Sequence, residues 1–258
     1  MMNEVVLKAE GLNLSFGGNI ALEDVTIEIT KGDICALVGP NGSGKTCILN
    51  VISGLYKADS GKVFYEGHDI TGIHPHKVAA LGIARAFQNV ELFGNMTVLE
   101  NLLLGCHYFM KENFVTGGIF WGLAQKREIQ LREWIESVID FLELEKYRKQ
   151  MAGMLPIGVQ KLIGVARALC MKPRLLLLDE VGSGMNRQEK EDLARFLLRI
   201  KYELDIPMLW VEHDVKLVGD LCDRIVVLNY GQKIADGAPD EVFQSDEVLR
   251  VYAGLGET

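Results

Sequence analysis

Residues 39–46 read Gly39-Pro40-Asn41-Gly42-Ser43-Gly44-Lys45-Thr46, with the apolar run DICALV just before them and KTCILNVISG just after, where Ile48, Leu49, Val51 and Ile52 fall at helical spacing. A buried strand that passes through a glycine-rich turn straight into an amphipathic helix admits few folds. The glycines let the backbone curl so that successive N–H groups point inward, and the new helix adds its positive end at the same spot. The order of residue types fits G-x-x-x-x-G-K-[ST] and the chemistry of holding phosphate. Lys45 brings a point charge to the terminal phosphates of a nucleotide, and the Thr46 hydroxyl is suited to ligate Mg²⁺.

The rest of the chain reads as α/β. VVLKAEGLNLSF and ALEDVTIEIT alternate apolar and polar residues as strands do, and KVFYEGHDI reads as a further strand. From about Val98 to Lys149 helical spacing dominates, with Leu131, Trp134, Ile135, Val138 and Leu142 on one face. MKENFVTGGIFWG, before that face, reads as a loop or a short interrupted helix. After Pro156 helices and strands alternate. LIGVARALC places Leu162, Val165, Ala166 and Leu169 together, RLLLLDE is a buried strand, and Leu193, Phe196, Leu197, Ile200 and Leu204 form the next stripe. PMLWVEHD and RIVVLNYG are apolar runs bounded by turn residues. Such alternation implies a mostly parallel sheet covered on both faces.

Asp179 and Glu180 end the run RLLLLDE. Beside a phosphate loop, Asp179 is placed to hold Mg²⁺ through water and Glu180 to polarise an attacking water; otherwise the pair caps a strand facing solvent. His213 follows another apolar strand, at the edge where ligands of open α/β sheets gather. Gln88, in RAFQNVELF, is either an ordinary surface amide or a ligand that reports Mg²⁺ to the helical middle. Phe16, in LSFGGNIAL, is suited equally to stacking on adenine and to core packing.

Composition narrows the class. With net charge −8, the chain is a poor electrostatic match for nucleic acid. No apolar run reaches the roughly 18 residues that cross a bilayer, and MMNEVVLKAE lacks the pattern of a signal peptide. A membrane role must therefore run through partner subunits. Cys35, Cys47, Cys106, Cys170 and Cys222 show no CxxC and read as reduced, mostly buried thiols of a cytoplasmic protein. The histidines show no metal-ligand spacing, and His74 and His76 flank Pro75 in what reads as a turn.

The ordered set Phe16, GPNGSGKT, Gln88, LPIGVQK, LLLLDE, GMN and EHD resembles the ABC transporter ATPases over nearly the whole chain, and within them the branched-chain amino acid importer (LivG-type) group. The resemblance implies a P-loop, RecA-like, mostly parallel sheet with an N-terminal antiparallel β region. Residues 1–90 and 166–258 would form this core, with a helical subdomain inserted at 91–165. It implies that Phe16 stacks on adenine, that Gly39 to Thr46 and Cys47 hold ATP, and that Thr46, Gln88 and Asp179 serve Mg²⁺. Glu180 would be the catalytic base, His213 the γ-phosphate switch and Lys45 a catalytic cation. Gly184-Met185-Asn186 resembles the loop that crosses to a partner ATPase, and 88–105 the surface that grips a membrane subunit. Implied partners are membrane-embedded permease subunits, a second ATPase subunit (identical or a sister chain) and, indirectly, a substrate-binding protein, with the chain peripheral on the inner face of the cell membrane.

The signature segment departs from the family's LSGGQ-like pattern. It reads Leu155-Pro156-Ile157-Gly158-Val159-Gln160. Pro156 has neither hydroxyl nor N–H, Ile157 adds bulk, and Val181 replaces a common proline. Such a chain is either fully active with a modified contact to the partner's ATP, or a subunit with one slow composite site. A soluble ABC ATPase without transport, a small-molecule kinase and a non-hydrolysing module are the rival functions.

Overall fold

Strands β1 (Val5–Phe16) and β2 (Asn19–Thr30) pair antiparallel across a turn at Gly17 and Gly18. The run DICALV becomes β3 (Ile34–Val38), which feeds residues 39–44 and then α1 (Lys45–Ile52). β4 (Ser60–Tyr65) and β5 (His68–Asp69) follow, then α2 (Pro75–Ala80) and β6 (Ile83–Ala86). The middle holds α3 (Val98–Gly105), α4 (Trp121–Phe141) and α5 (Ile157–Cys170). β7 (Leu175–Asp179), α6 (Arg187–Leu204), β8 (Met208–Val211), α7 (Val215–Leu221) and β9 (Arg224–Asn229) then alternate, and β10 (Gln232–Gly237), α8 (Pro239–Phe243) and α9 (Asp246–Ala253) come last. These elements come from a computed structural model that describes residues 4–88, 91–106 and 121–253.

The strands form two sheets. One is antiparallel, in the order β2-β1-β4-β5; the other runs β10-β9-β3-β8-β7-β6, parallel from β9 to β6 with β10 antiparallel at its edge. Because side chains alternate across a strand, a sheet covered on both faces must be apolar at every position. β3 shows this directly. Ile34, Ala36 and Val38 face a core shared with α3 to α7, while Cys35 and Leu37 face a second core shared with α1 and the antiparallel sheet. The same division splits Leu176 and Leu178 from Leu175 and Leu177 on β7. The P-loop α/β fold with an N-terminal antiparallel sheet is therefore what the chain adopts.

The helical middle is tied to the sheet rather than hung from it. α5 runs unbroken across residue 165 and packs on α3, α4, β6 and β7. Buried Asn101 on α3 accepts from the Phe93 N–H at 2.9 Å and donates to the carbonyls of Phe93, Met96 and Thr97, and Arg167 donates to the Glu91 carbonyl at 2.9 Å. Residues 91–97 are thus pinned from both α3 and α5.

Several local expectations need correction. KVFYEGHDI is a hairpin, not one strand: the chain reverses at Glu66 and Gly67, both with positive φ, and Tyr65 pairs with His68. His74 and Pro75 do not mark a bare turn, since Pro75 opens α2 with His74 as its cap, a position where the missing N–H costs nothing. Leu204, expected on the buried stripe of α6, is exposed at the helix end. The 110–122 stretch lies outside the described residues except for Trp121 and Gly122, which begin α4. All five cysteines are free. Among the described residues, no helix is long and apolar enough to cross a membrane.

Candidate active site

β3 ends at the centre of the parallel sheet and delivers the glycine loop to its carboxyl edge. Gly39 has φ 145°, and a Cβ there would sit 2.1 Å from the Leu228 carbonyl oxygen of β9, so only glycine lets the loop leave the sheet. Gly44, also at positive φ, is the N-cap of α1. The buried Lys45 ammonium donates to the carbonyls of Gly39 (2.8 Å) and Pro40 (2.7 Å) and reaches Ser43 Oγ at 3.4 Å, so the cation lies inside the curl of its own loop. Burial pushes the Lys45 pKa down, opposed by the fields of Glu180 and Asp179. Thr46 is exposed at the start of α1, Asn41 and Gly42 are exposed on the loop, and Cys47 is half-buried. Phe16, at the end of β1, is 46% exposed and meets Tyr56 edge-on with ring centroids 5.3 Å apart. Its ring lies outside the core and is partly open to solvent.

The strands to one side of β3, in the order β8, β7 and β6, bring up the other groups. Asp179 ends β7. Arg85 on β6 donates to Asp179 Oδ2 at 2.6 Å, with both side chains 6% exposed. Asp179 Oδ1 is buried and, among the described residues, has no partner. Glu180, the next residue, sits in the left-handed region at φ 48°, and its N–H donates to the Val211 carbonyl of β8 at 2.9 Å. Its carboxylate faces across the edge, only 14% exposed: Oε1 meets His213 Nε2 at 2.7 Å, and Oε2 accepts from the Gln88 amide. The structure thus joins Gln88, Glu180 and His213, which lie beyond the ends of three adjacent strands, into one hydrogen-bonded set.

The signature segment lies on a different element. Pro156 is the N-cap of α5, and Ile157, its first residue, is 53% exposed. Gly158 is buried against the Glu189 side chain. Val159 is half-buried on the core, and Gln160 Nε2 donates to the Leu155 carbonyl at 2.8 Å. Among the described residues, no hydrogen bond or ion pair joins 156–160 to the glycine loop. Gly184 is exposed at positive φ, Met185 turns inward, and Asn186 caps α6 by accepting the Glu189 N–H at 3.0 Å. Of these three residues, Met185 is part of the core.

Residues 22–183 match the ABC transporter family. The chain belongs to that family. Full-length relatives agree with the match. The high-affinity branched-chain amino acid transport ATP-binding protein BraF of Pseudomonas aeruginosa is 34% identical, with 98% of this chain and 99% of the relative covered. A probable branched-chain amino acid transport ATP-binding protein LivG of Archaeoglobus fulgidus is 36% identical, with 98% and 97% covered. Among solved structures, an ATP-binding cassette of an ABC transporter in its ADP conformation superposes with TM-score 0.85 at 33% identity, covering 97% of this chain and 99% of that one.

Three charged residues of this ABC cassette escaped the sequence reading. Arg85 holds Asp179 and also donates to Asn50 Oδ1 at 2.7 Å on α1. Lys161 on α5 donates to the carbonyls of Glu180 (3.3 Å) and Ser183. Glu212, buried just before His213, accepts the His213 N–H at 2.8 Å, while its Oε2 is buried without a partner among the described residues. A signal existed for each: Arg85 interrupts the apolar run IARA, Glu212 stands inside EHD, and Lys161 follows the signature segment directly.

Proposed function

We propose that this cassette hydrolyses ATP and drives membrane-embedded permease subunits that import branched-chain amino acids or related small molecules. The observation that carries the proposal is the Glu180 carboxylate, held between His213 Nε2 and the Gln88 amide at the same sheet edge as the Lys45 loop. The loop N–H groups, the α1 N-terminus and Lys45 bind the phosphates, and Phe16 offers a ring face to adenine. Glu180 accepts a proton from the attacking water, and His213 sits where it reads the terminal phosphate.

The donor set suits Mg²⁺. Asp179 Oδ1 is a buried carboxylate oxygen without a partner, and the Thr46 hydroxyl at the helix start and the Gln88 amide oxygen complete an all-oxygen set. Bound there, the ion neutralises phosphate charge. Residues 91–165 act as the helical arm between nucleotide site and permease. Two cassettes, identical or sisters, close head to tail, with 156–160 facing the partner's ATP and 184–186 at the crossing. The relatives' names support the substrate class, and in this reading the chain works on the inner face of the membrane beside permeases and, indirectly, a substrate-binding protein. Pro156, which brings no hydroxyl and no N–H, supports a second reading in which this signature gives its composite site slower turnover.

Glu180→Gln tests the reading. The amide keeps the shape but accepts no proton. Phosphate release should fall by about 10²–10⁴ while ATP binding persists, the usual weight of a general base, and ATP should trap a closed dimer visible by size-exclusion chromatography. Unchanged phosphate release would remove Glu180 from the role.

A further inference from the structure

Glu180 holds its carboxylate from an uncomfortable backbone. A non-glycine residue at φ 48° persists only where its surroundings over-determine it. Part of that determination is local: the Glu180 N–H is bound to Val211 of β8, and the Ser183 N–H closes a tight turn onto the Glu180 carbonyl at 3.1 Å. The remainder comes from outside the strand edge. The Lys161 ammonium, on a side chain of a residue only 7% exposed, grips both ends of that turn through the carbonyls of Glu180 and Ser183.

The same turn is confined on another side. Gly182, inside it, lies so close to Glu212 that a Cβ would sit 2.7 Å from Glu212 Oε2, the buried oxygen without a partner. A buried ammonium needs a counter-charge, and Glu212 and Glu180 supply it. Burial pushes the Lys161 pKa down, and the fields of Glu212 and Glu180 oppose that shift. Lys161 also belongs to α5, one turn beyond Ile157. A displacement of the start of α5 therefore reaches the Glu180 peptide through one side chain.

We infer that Lys161 is a positioning residue for hydrolysis: opposite Glu212, it clasps the Glu180–Ser183 turn and sets where the Glu180 carboxylate points, linking the helix of the 156–160 segment to the hydrolytic edge. This rests on Glu180 being the general base. Among the described residues, Lys161 bonds to carbonyls of the turn and not to the glycine loop, so its effect falls on turnover and leaves nucleotide binding alone.

The test compares Lys161→Met, Lys161→Arg and Glu180→Gln in the full chain, reading phosphate release against ATP concentration, binding of a fluorescent ATP analogue and thermal melting. Lys161→Met should lower kcat by about tenfold to hundredfold, the loss that goes with an ångström-scale displacement of a catalytic group, with KM and analogue binding unchanged. Lys161→Arg, which keeps the charge and donors, should recover most of the rate. If Lys161→Met does not fold, Lys161→Gln is read by the same split. Wild-type kcat in the neutral variant overturns the inference. So does a parallel fall in binding, melting temperature and rate that arginine leaves uncorrected, since that is a fold defect. Full activity in Glu180→Gln would overturn the general-base reading instead, so the two failures are distinct.

Discussion

Arg85→Met tests how the acidic strand end is held. Arg85 Nη2 donates to Asp179 Oδ2 at 2.6 Å, and Nη1 donates to Asn50 Oδ1 at 2.7 Å and Ser53 Oγ at 3.2 Å. Methionine fills much of the same length with no donor. The Asp179 carboxylate would then be buried with neither oxygen paired, because Oδ1 already lacks a partner. Removing one member of a buried ion pair costs about 3–5 kcal/mol, more than the pair contributes, because the stranded charge keeps its desolvation penalty. Urea unfolding reports this through tryptophan fluorescence, since Trp210 is fully buried on β8 beside β7. Asp179→Asn removes the stranded charge, so the double variant Arg85→Met/Asp179→Asn should lose less than the sum of the singles, with a coupling of about 0.5–3 kcal/mol. A single variant within about 0.5 kcal/mol of wild type, the range of an uninvolved surface change, or strict additivity in the double, would refute the reasoning.

Phe16→Ala should weaken ATP binding by about 0.5–1.5 kcal/mol, the value of an aromatic stack, and leave melting unchanged because the ring is outside the core; a melting loss without an affinity loss would return Phe16 to a packing role. Hydrogen bonding from Lys190 on α6 holds the Asp214 carboxyl below its ordinary range. A depressed carboxyl stabilises the fold above its unfolded value, about 3.9 for Asp, and that stability is lost as pH falls through the lower folded value. Asp214→Asn should therefore be destabilised near neutrality and converge with wild type as the medium is acidified below about pH 4, checked by urea midpoints across pH. Pro156→Ser with Ile157→Gly should leave phosphate release in the reconstituted complex close to wild type; a tenfold rise, equivalent to about 1.4 kcal/mol of barrier, would show that the native signature limits turnover.

The phosphate loop was legible because its strand, turn and helix are contiguous, and each step imposes a residue type. Asp179, Glu180 and His213 were legible because each ends an apolar run. What brings them together is the strand order β3-β8-β7-β6, in which β8, late in the chain, lies between β3 and β7. Local periodicity carries no information on that order. Arg85, Lys161 and Glu212 were passed over for a related reason: their segments were read for Gln88, for the signature and for an apolar run, and the role of each depends on a partner 19 to 94 residues away or on burial that only the fold supplies. The hairpin of β4 and β5 turns on Glu66-Gly67, a weaker signal than Asn-Gly or Asp-Gly.

The atypical signature divides by what the fold demands of each position. Gly158 is fixed from inside: a Cβ would lie 2.3 Å from Glu189 Oε1, and Glu189 is not free to yield, because its Oε2 accepts the Asn186 N–H at 2.9 Å and its own N–H is held by Asn186 Oδ1. Gly158 on α5, Glu189 and the α6 cap Asn186 are therefore one packed unit. Pro156 and Ile157 carry no such constraint. Pro156 makes no side-chain cap, and Ile157 projects outward. The first backbone bond of the helix start runs from the Gln160 N–H to the Pro156 carbonyl, so α5 still presents the early N–H groups of its first turn. Loss of the usual serine removes one hydroxyl and one N–H. It leaves the helix N-terminus and the N–H groups that follow Pro156 in place for a phosphate contact.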